Sequence, residues 1–148
     1  MLQLVLLGAA MLFAAPFAAM FVYNTVINPG VIEELRADPQ GERAQTVMLL
    51  TLPSGRMLPV NYLEEDGRVY AGADGRWWTE LRDGHEDVTV WIRGGTMEAR
   101  ARTVIDDPDY TKDVFSRLRP DAIPGFGRLV EILLDPDDAG GPIARSAR

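Results

Sequence analysis

The 148-residue sequence predicts a mainly β (α+β) domain, an all-β barrel or sandwich with short helices, behind one apolar span. Three observations carry this. From residue 46 short runs of strand-forming residues alternate with turn chemistry. Residues 87–105 read as a hairpin whose two faces match in polarity. The first charged residue is Glu33, so the chain opens on a long uncharged stretch.

That stretch, MLQLVLLGAAMLFAAPFAAMFVYNTVI, has Gln3, Asn24 and Thr25 as its clearly polar side chains. As a helix it spans about 40 Å, more than the roughly 30 Å hydrocarbon core of a bilayer. Gly8 and Pro16 are tolerated in membrane helices, and Tyr23 suits an interface. A cleaved signal peptide is the competing reading. Against it stand the missing basic n-region and an apolar run about twice the usual length. Residues 1–28 are therefore expected to form a single-pass anchor in membrane lipid. Arg36 and Arg43 follow the span, which by the positive-inside tendency puts the soluble domain in the cytoplasm. Asn28-Pro29-Gly30 is read as its end. Residues 29–45 form a linker with a short amphipathic helix, broken at Pro39 and Gly41.

Residues 46–135 form the folded domain. TVMLLTL (46–52), MLPVNYL (57–63) and RVYAG (68–72) are strands, joined by turns at Pro53-Ser54-Gly55-Arg56 and Glu64-Glu65-Asp66-Gly67. GADGRWWTELRDG follows, most simply a short helix over 76–82. In DVTVWIRGGTMEARARTVI a Gly94-Gly95 turn would pair Arg93 with Thr96. Val88, Val90 and Ile92 then face Met97, Ala99 and Ala101, and Asp87 opposes Arg102. DPDYTKDVFSRL reads as a helix capped near Asp107, with Pro108 in its first turn. A second helix is expected over Gly127–Leu134. The tail, 136–148, has a flexible composition.

The composition narrows the chemistry. The net charge of -7 lies entirely in residues 33–148, and Lys112 is the one lysine, so no nucleic-acid partner is expected. There are no cysteines and one histidine, His85, which leaves no thiolate site and no metal site in view. Redox or group-transfer chemistry would have to come from an organic cofactor.

In order of elements the chain resembles the deazaflavin-dependent nitroreductase and quinone reductase family, split β-barrels of the wider flavin-binding class. The likeness covers about residues 46–118 and is closest in VTVWIRGGTMEARARTVIDDP and PVNYLEEDGRVYAGA. It implies a split β-barrel with a lid helix and C-terminal helices. It also implies hydride transfer from a reduced deazaflavin coenzyme or FMN to a quinone or nitro acceptor. Ser54, Gly55 and Arg56 would hold the cofactor's phosphate-bearing tail. Pro59, Val60, Asn61, Tyr62, Gly72 and Ala73 would lie along the ring. Arg76, Trp77 and Trp78 would close over it. Where the family's turn carries two adjacent basic residues, this chain has Arg56 alone.

Each of these residues also has a plainer reading. Trp77 and Trp78 point about 100° apart on a helix, so one packs on the barrel while the other reaches a groove, a membrane or a partner. Trp91, on the polar face of the hairpin, reads with Arg93 and Arg100 as an interface. His85 reads as an exposed loop residue. The alternative function is thus an accessory subunit without a cofactor, anchored beside a larger respiratory or photosynthetic membrane complex and keeping the barrel for protein contact.

Overall fold

The computed structural model describes residues 28–121, 125 and 127–134. The chain divides into two compact units, residues 1–34 and 35–148. The expected apolar span, residues 1–27, and the tail, 136–148, lie outside the described residues. Among the described residues no helix is long and apolar enough to cross a membrane. Asn28-Pro29-Gly30, read from the sequence as a break, lies within helix α1 (Asn28–Ala37).

Six antiparallel strands close into a barrel: β1 (Val47–Thr51), β2 (Met57–Glu65), β3 (Arg68–Ala73), β4 (Glu86–Ile92), β5 (Gly95–Val104) and β6 (Arg128–Leu134). Around the barrel they run β1-β2-β3-β6-β5-β4. Among the described residues closure leaves no edge strand to template pairing with another chain. Along each strand alternate residues turn inward, and Met48, Leu50, Val69, Val90, Ile92 and Ile132 are wholly buried there. A 3₁₀ segment, Arg76–Leu81, replaces the short helix expected over 76–82, and helix α2 (Pro108–Leu118) lies against β3 and β6. Under α2, Val114 meets Tyr70, Val104 and Leu129 in a second apolar cluster.

Helix α2 starts as its sequence predicts. The Asp107 carboxylate accepts from the Tyr110 amide at 2.9 Å, and Pro108 opens the first turn, where no N–H is needed. Asp107→Ala should lower stability by about 1 kcal/mol in urea denaturation, and Asp107→Asn should recover most of it.

Two further expectations are corrected. The β4–β5 turn is Arg93-Gly94, with φ 47° and 88°, and it pairs Ile92 with Gly95 and Trp91 with Thr96. Positive φ at both central residues is what a two-residue hairpin requires. Pro39 and Gln40 are seated on this turn. The Gln40 amide donates to the Arg93 carbonyl at 2.7 Å, and a Cβ on Gly94 would come within 3.3 Å of Pro39. A shift of two residues preserves the faces, so the inward set is as expected. The charge partners do change: Asp87 opposes Arg100, and Arg102 turns to Glu131.

The second correction is β6. RLVEILL, read as a helix, is the strand that closes the barrel between β3 and β5. Its outward Leu129 is covered by α2 and its inward Val130 and Ile132 by the barrel. With both faces buried, the alternation that marks a strand is absent from the sequence.

Candidate functional site

The β1–β2 turn is closed by the Gly55 amide donating to the Leu52 carbonyl at 2.8 Å and by the Leu52 amide donating to Arg56 at 2.9 Å. Gly55 adopts φ 83°, a conformation that suits glycine. This geometry points two donors the same way. The Ser54 N–H lies 3.3 Å from one oxygen of Glu80, and Arg56 Nη2 lies 3.2 Å from the other. Glu80 comes from the 3₁₀ segment that follows β3. The two donors thus hold one carboxylate of the same chain between them.

The residues expected along a ring are divided by the strand pleat. Val60, Tyr62 and Ala73 point into the barrel core, whereas Pro59, Asn61 and Gly72 lie on the outer face. The Tyr62 hydroxyl donates to the Ala44 carbonyl at 3.1 Å. Burial raises its pKa; the nearby Arg93 charge opposes this and Glu64 adds to it, so the phenol stays neutral.

Gly72 is covered. A Cβ there would come within 3.2 Å of the Arg119 guanidinium carbon, a closeness only glycine accommodates without displacing its neighbour. Arg119 follows α2, grips both oxygens of Asp74 through Nη1, and donates from Nη2 to the Gly72 carbonyl at 3.3 Å. Its Nε is buried without a hydrogen-bond partner among the described residues.

Arg76 is exposed, while Trp77 and Trp78 are half-buried and both pack against the barrel core. The Thr103 hydroxyl donates to the Trp78 carbonyl at 2.9 Å, and Arg128 stacks 5.5 Å from the Trp78 ring centroid. Leu81, wholly buried, pins the end of the segment.

The suggested interface residues are separate. Trp91 is half-buried on the outward row Pro59–Leu49–Trp91–Thr96. Arg93 pairs with Glu64 at 2.8 Å. Arg100 donates to the His85 carbonyl at 3.1 Å and lies 3.7 Å from Asp87. These last side chains rim an open groove of about 500 Å³ floored by Ala99, Leu133 and Leu134.

Sequence reasoning missed the most elaborate polar cluster. Glu131, 3 % exposed on β6, receives Arg68 Nη1 at 3.0 Å and Arg102 Nε at 3.2 Å. The Tyr110 hydroxyl lies 2.9 Å from both Glu131 and the Tyr70 hydroxyl. With one proton to give, Tyr110 donates to the carboxylate and accepts from Tyr70. Burial alone would raise the Glu131 pKa. The Tyr110 and Arg102 hydrogen bonds, with the charges of Arg102 and Arg68, outweigh it and hold the carboxyl below its usual value. Tyr110 is pushed well above the ordinary phenol range by burial and by its bonds to Tyr70 and Glu131. The available signal was a lone carboxylate inside the apolar run RLVEILL.

No protein-family model matches the chain, and neither does any curated protein. Solved structures do. One is a provisionally assigned pyridoxamine 5′-phosphate oxidase from Listeria innocua, with TM-score 0.48 and 16 % identity over 70 % of this chain and 92 % of that one. A second protein of that provisional description, from Corynebacterium glutamicum, gives TM-score 0.42 and 15 % identity over 68 % and 82 % of the two chains. General Stress Protein 26 from Bacillus anthracis gives 0.43 and 21 % over 70 % and 88 %. Each is a likeness of fold alone.

Proposed function

We propose that the chain is a split-barrel reductase of the flavin and deazaflavin type, held at a membrane by residues 1–28. The observation that carries this reading is the anion cradle: the Ser54 amide and the Arg56 guanidinium converge on a single carboxylate. A carboxylate so held stands in for one oxygen edge of a phosphate, the group a cofactor tail would present. Pro59 and Asn61, outward on the adjoining strand, offer a surface along which a flat ring could lie. Such a cofactor supplies hydride transfer to a quinone or nitro acceptor. The protein's part is then to bind and orient, with no titratable group needed at the reacting atoms.

A second reading is favoured by Arg119. Its guanidinium covers Gly72, where the resemblance would put the ring, and both tryptophans are committed to packing. On this reading the barrel is a non-catalytic subunit of a larger membrane complex.

The test is direct. The full chain, purified in mild detergent, is mixed with FMN or a deazaflavin coenzyme and passed over a sizing column. The expected result is retention of the cofactor's visible band together with quenched tryptophan emission. Arg56→Gln should weaken retention by about tenfold, the loss of one charge-assisted hydrogen bond. A colourless protein that refuses both cofactors, and that elutes from native membranes inside a large particle, would establish the second reading instead.

A further inference from the structure

The covers around the candidate site are held very differently. Helix α2 is fixed along its length: Tyr110 to Glu131 and Tyr70, Arg117 to Glu65 at 2.9 Å, and Arg119, just past its end, to Asp74 and Gly72. The 3₁₀ segment is pinned by Leu81 and by the Trp78 carbonyl, and these contacts do not involve Glu80. Glu80 itself reaches the turn through two long bonds, 3.3 and 3.2 Å, between partly exposed groups, with Arg56 54 % and Glu80 28 % exposed. A pair of this kind is weak and readily exchanged. Its side chain can swing into solvent without moving the segment that carries it.

We infer that Glu80 is an internal competitor for the Ser54–Arg56 turn, and that it sets how tightly the turn accepts an anion. This rests on the reading of that turn as an anion site. While the carboxylate is in place it satisfies the Ser54 N–H and neutralises Arg56. An incoming anion must displace it and then bind beside a negative charge. The displacement costs the same whatever anion enters, and the carboxylate left nearby repels each in proportion to its own charge. Glu80 thus lowers the affinity of the turn for every anion, a phosphate-bearing tail included, and keeps Ser54 and Arg56 satisfied until one binds.

The experiment is calorimetric titration of inorganic pyrophosphate, and separately of acetate, into the full chain in mild detergent at low salt. Glu80→Gln keeps the shape of the side chain and removes its charge. It should bind pyrophosphate about fivefold more tightly than the parent, the weight of a partly exposed pair, and should gain measurable acetate binding. Glu80→Ala should behave alike. Arg56→Gln should abolish binding in parent and Glu80→Gln backgrounds. Equal pyrophosphate affinity in parent and Glu80→Gln, still lost with Arg56→Gln, would overturn the role of Glu80 and leave the turn an anion site. No binding in any variant would overturn both.

Discussion

Glu131→Ala is expected to destabilise the protein by about 3 kcal/mol and to loosen α2 before the barrel opens. At Glu131, on β6, polar side chains of β3, β5 and α2 converge: Arg68, Arg102 and Tyr110. Removing one member of a buried ionic cluster is costly because its partners are left without compensation. The two arginines are 49 % and 37 % exposed on their side chains, so water takes up part of that charge and the cost sits at the low end of the range. Tyr110 loses its carboxylate acceptor, and its hydroxyl is left with the Tyr70 hydroxyl alone, which adds to the cost. Urea denaturation gives the free energy. Hydrogen exchange gives the order: α2 amides should lose protection beyond that of β1 and β4. A loss under 1 kcal/mol, with uniform protection, would show that the cluster is not what fastens α2.

The same cluster sets a pH dependence. A carboxyl held below its unfolded pKa stabilises the fold above that value and loses the contribution as pH falls through the folded pKa. The acid loss should therefore lie below about pH 4.3, the ordinary glutamate value, and Glu131→Gln should flatten it. Tyr110 works in the opposite sense. Its raised phenol stabilises the fold fully below about pH 10, and the contribution is lost as pH rises toward the folded pKa.

What the sequence revealed, and what it hid, divides by range. The turns of β1–β3 are encoded by adjacent residues, Ser54-Gly55 and Asp66-Gly67, and they fall where local chemistry puts them. The same is true of Asp107-Pro108 at the start of α2. Hairpin faces follow from alternation, which survives a slip of two residues. The register depends instead on which pair takes the turn, Arg93-Gly94 rather than Gly94-Gly95, and the Arg93 carbonyl is bound by Gln40, 53 positions away. Glu131 draws its arginines from 63 and 29 positions away, and Glu80 reaches Ser54 across 26. No local pattern announces such pairs. The candidate site was read as a set of residue types along β1–β3 and the 3₁₀ segment. Which of them face outward, and that Gly72 is already covered, required the closed barrel.

Arg119→Ala tests that cover, and its expected effect runs in two directions. Stability should fall by about 2 kcal/mol, because the fork on Asp74 and the bond to the Gly72 carbonyl are lost and the space above Gly72 is left thinly filled. The loss is limited because Arg119 Nε, buried without a partner among the described residues, is removed as well. Cofactor affinity should move the other way. A ring seated against Gly72 must first displace the guanidinium, so its apparent affinity is reduced by the fraction of molecules in which that face is open. Removing Arg119 removes this penalty, and FMN or deazaflavin should bind about tenfold more tightly, read from quenching of Trp77 and Trp78 emission. Asp74→Ala frees the same guanidinium while leaving it in the chain, so it should give a smaller gain in affinity and a smaller loss of stability. If Arg119→Ala destabilises as expected but binds no cofactor, the covered glycine is part of the packing under α2, and the barrel serves as a surface for protein contact.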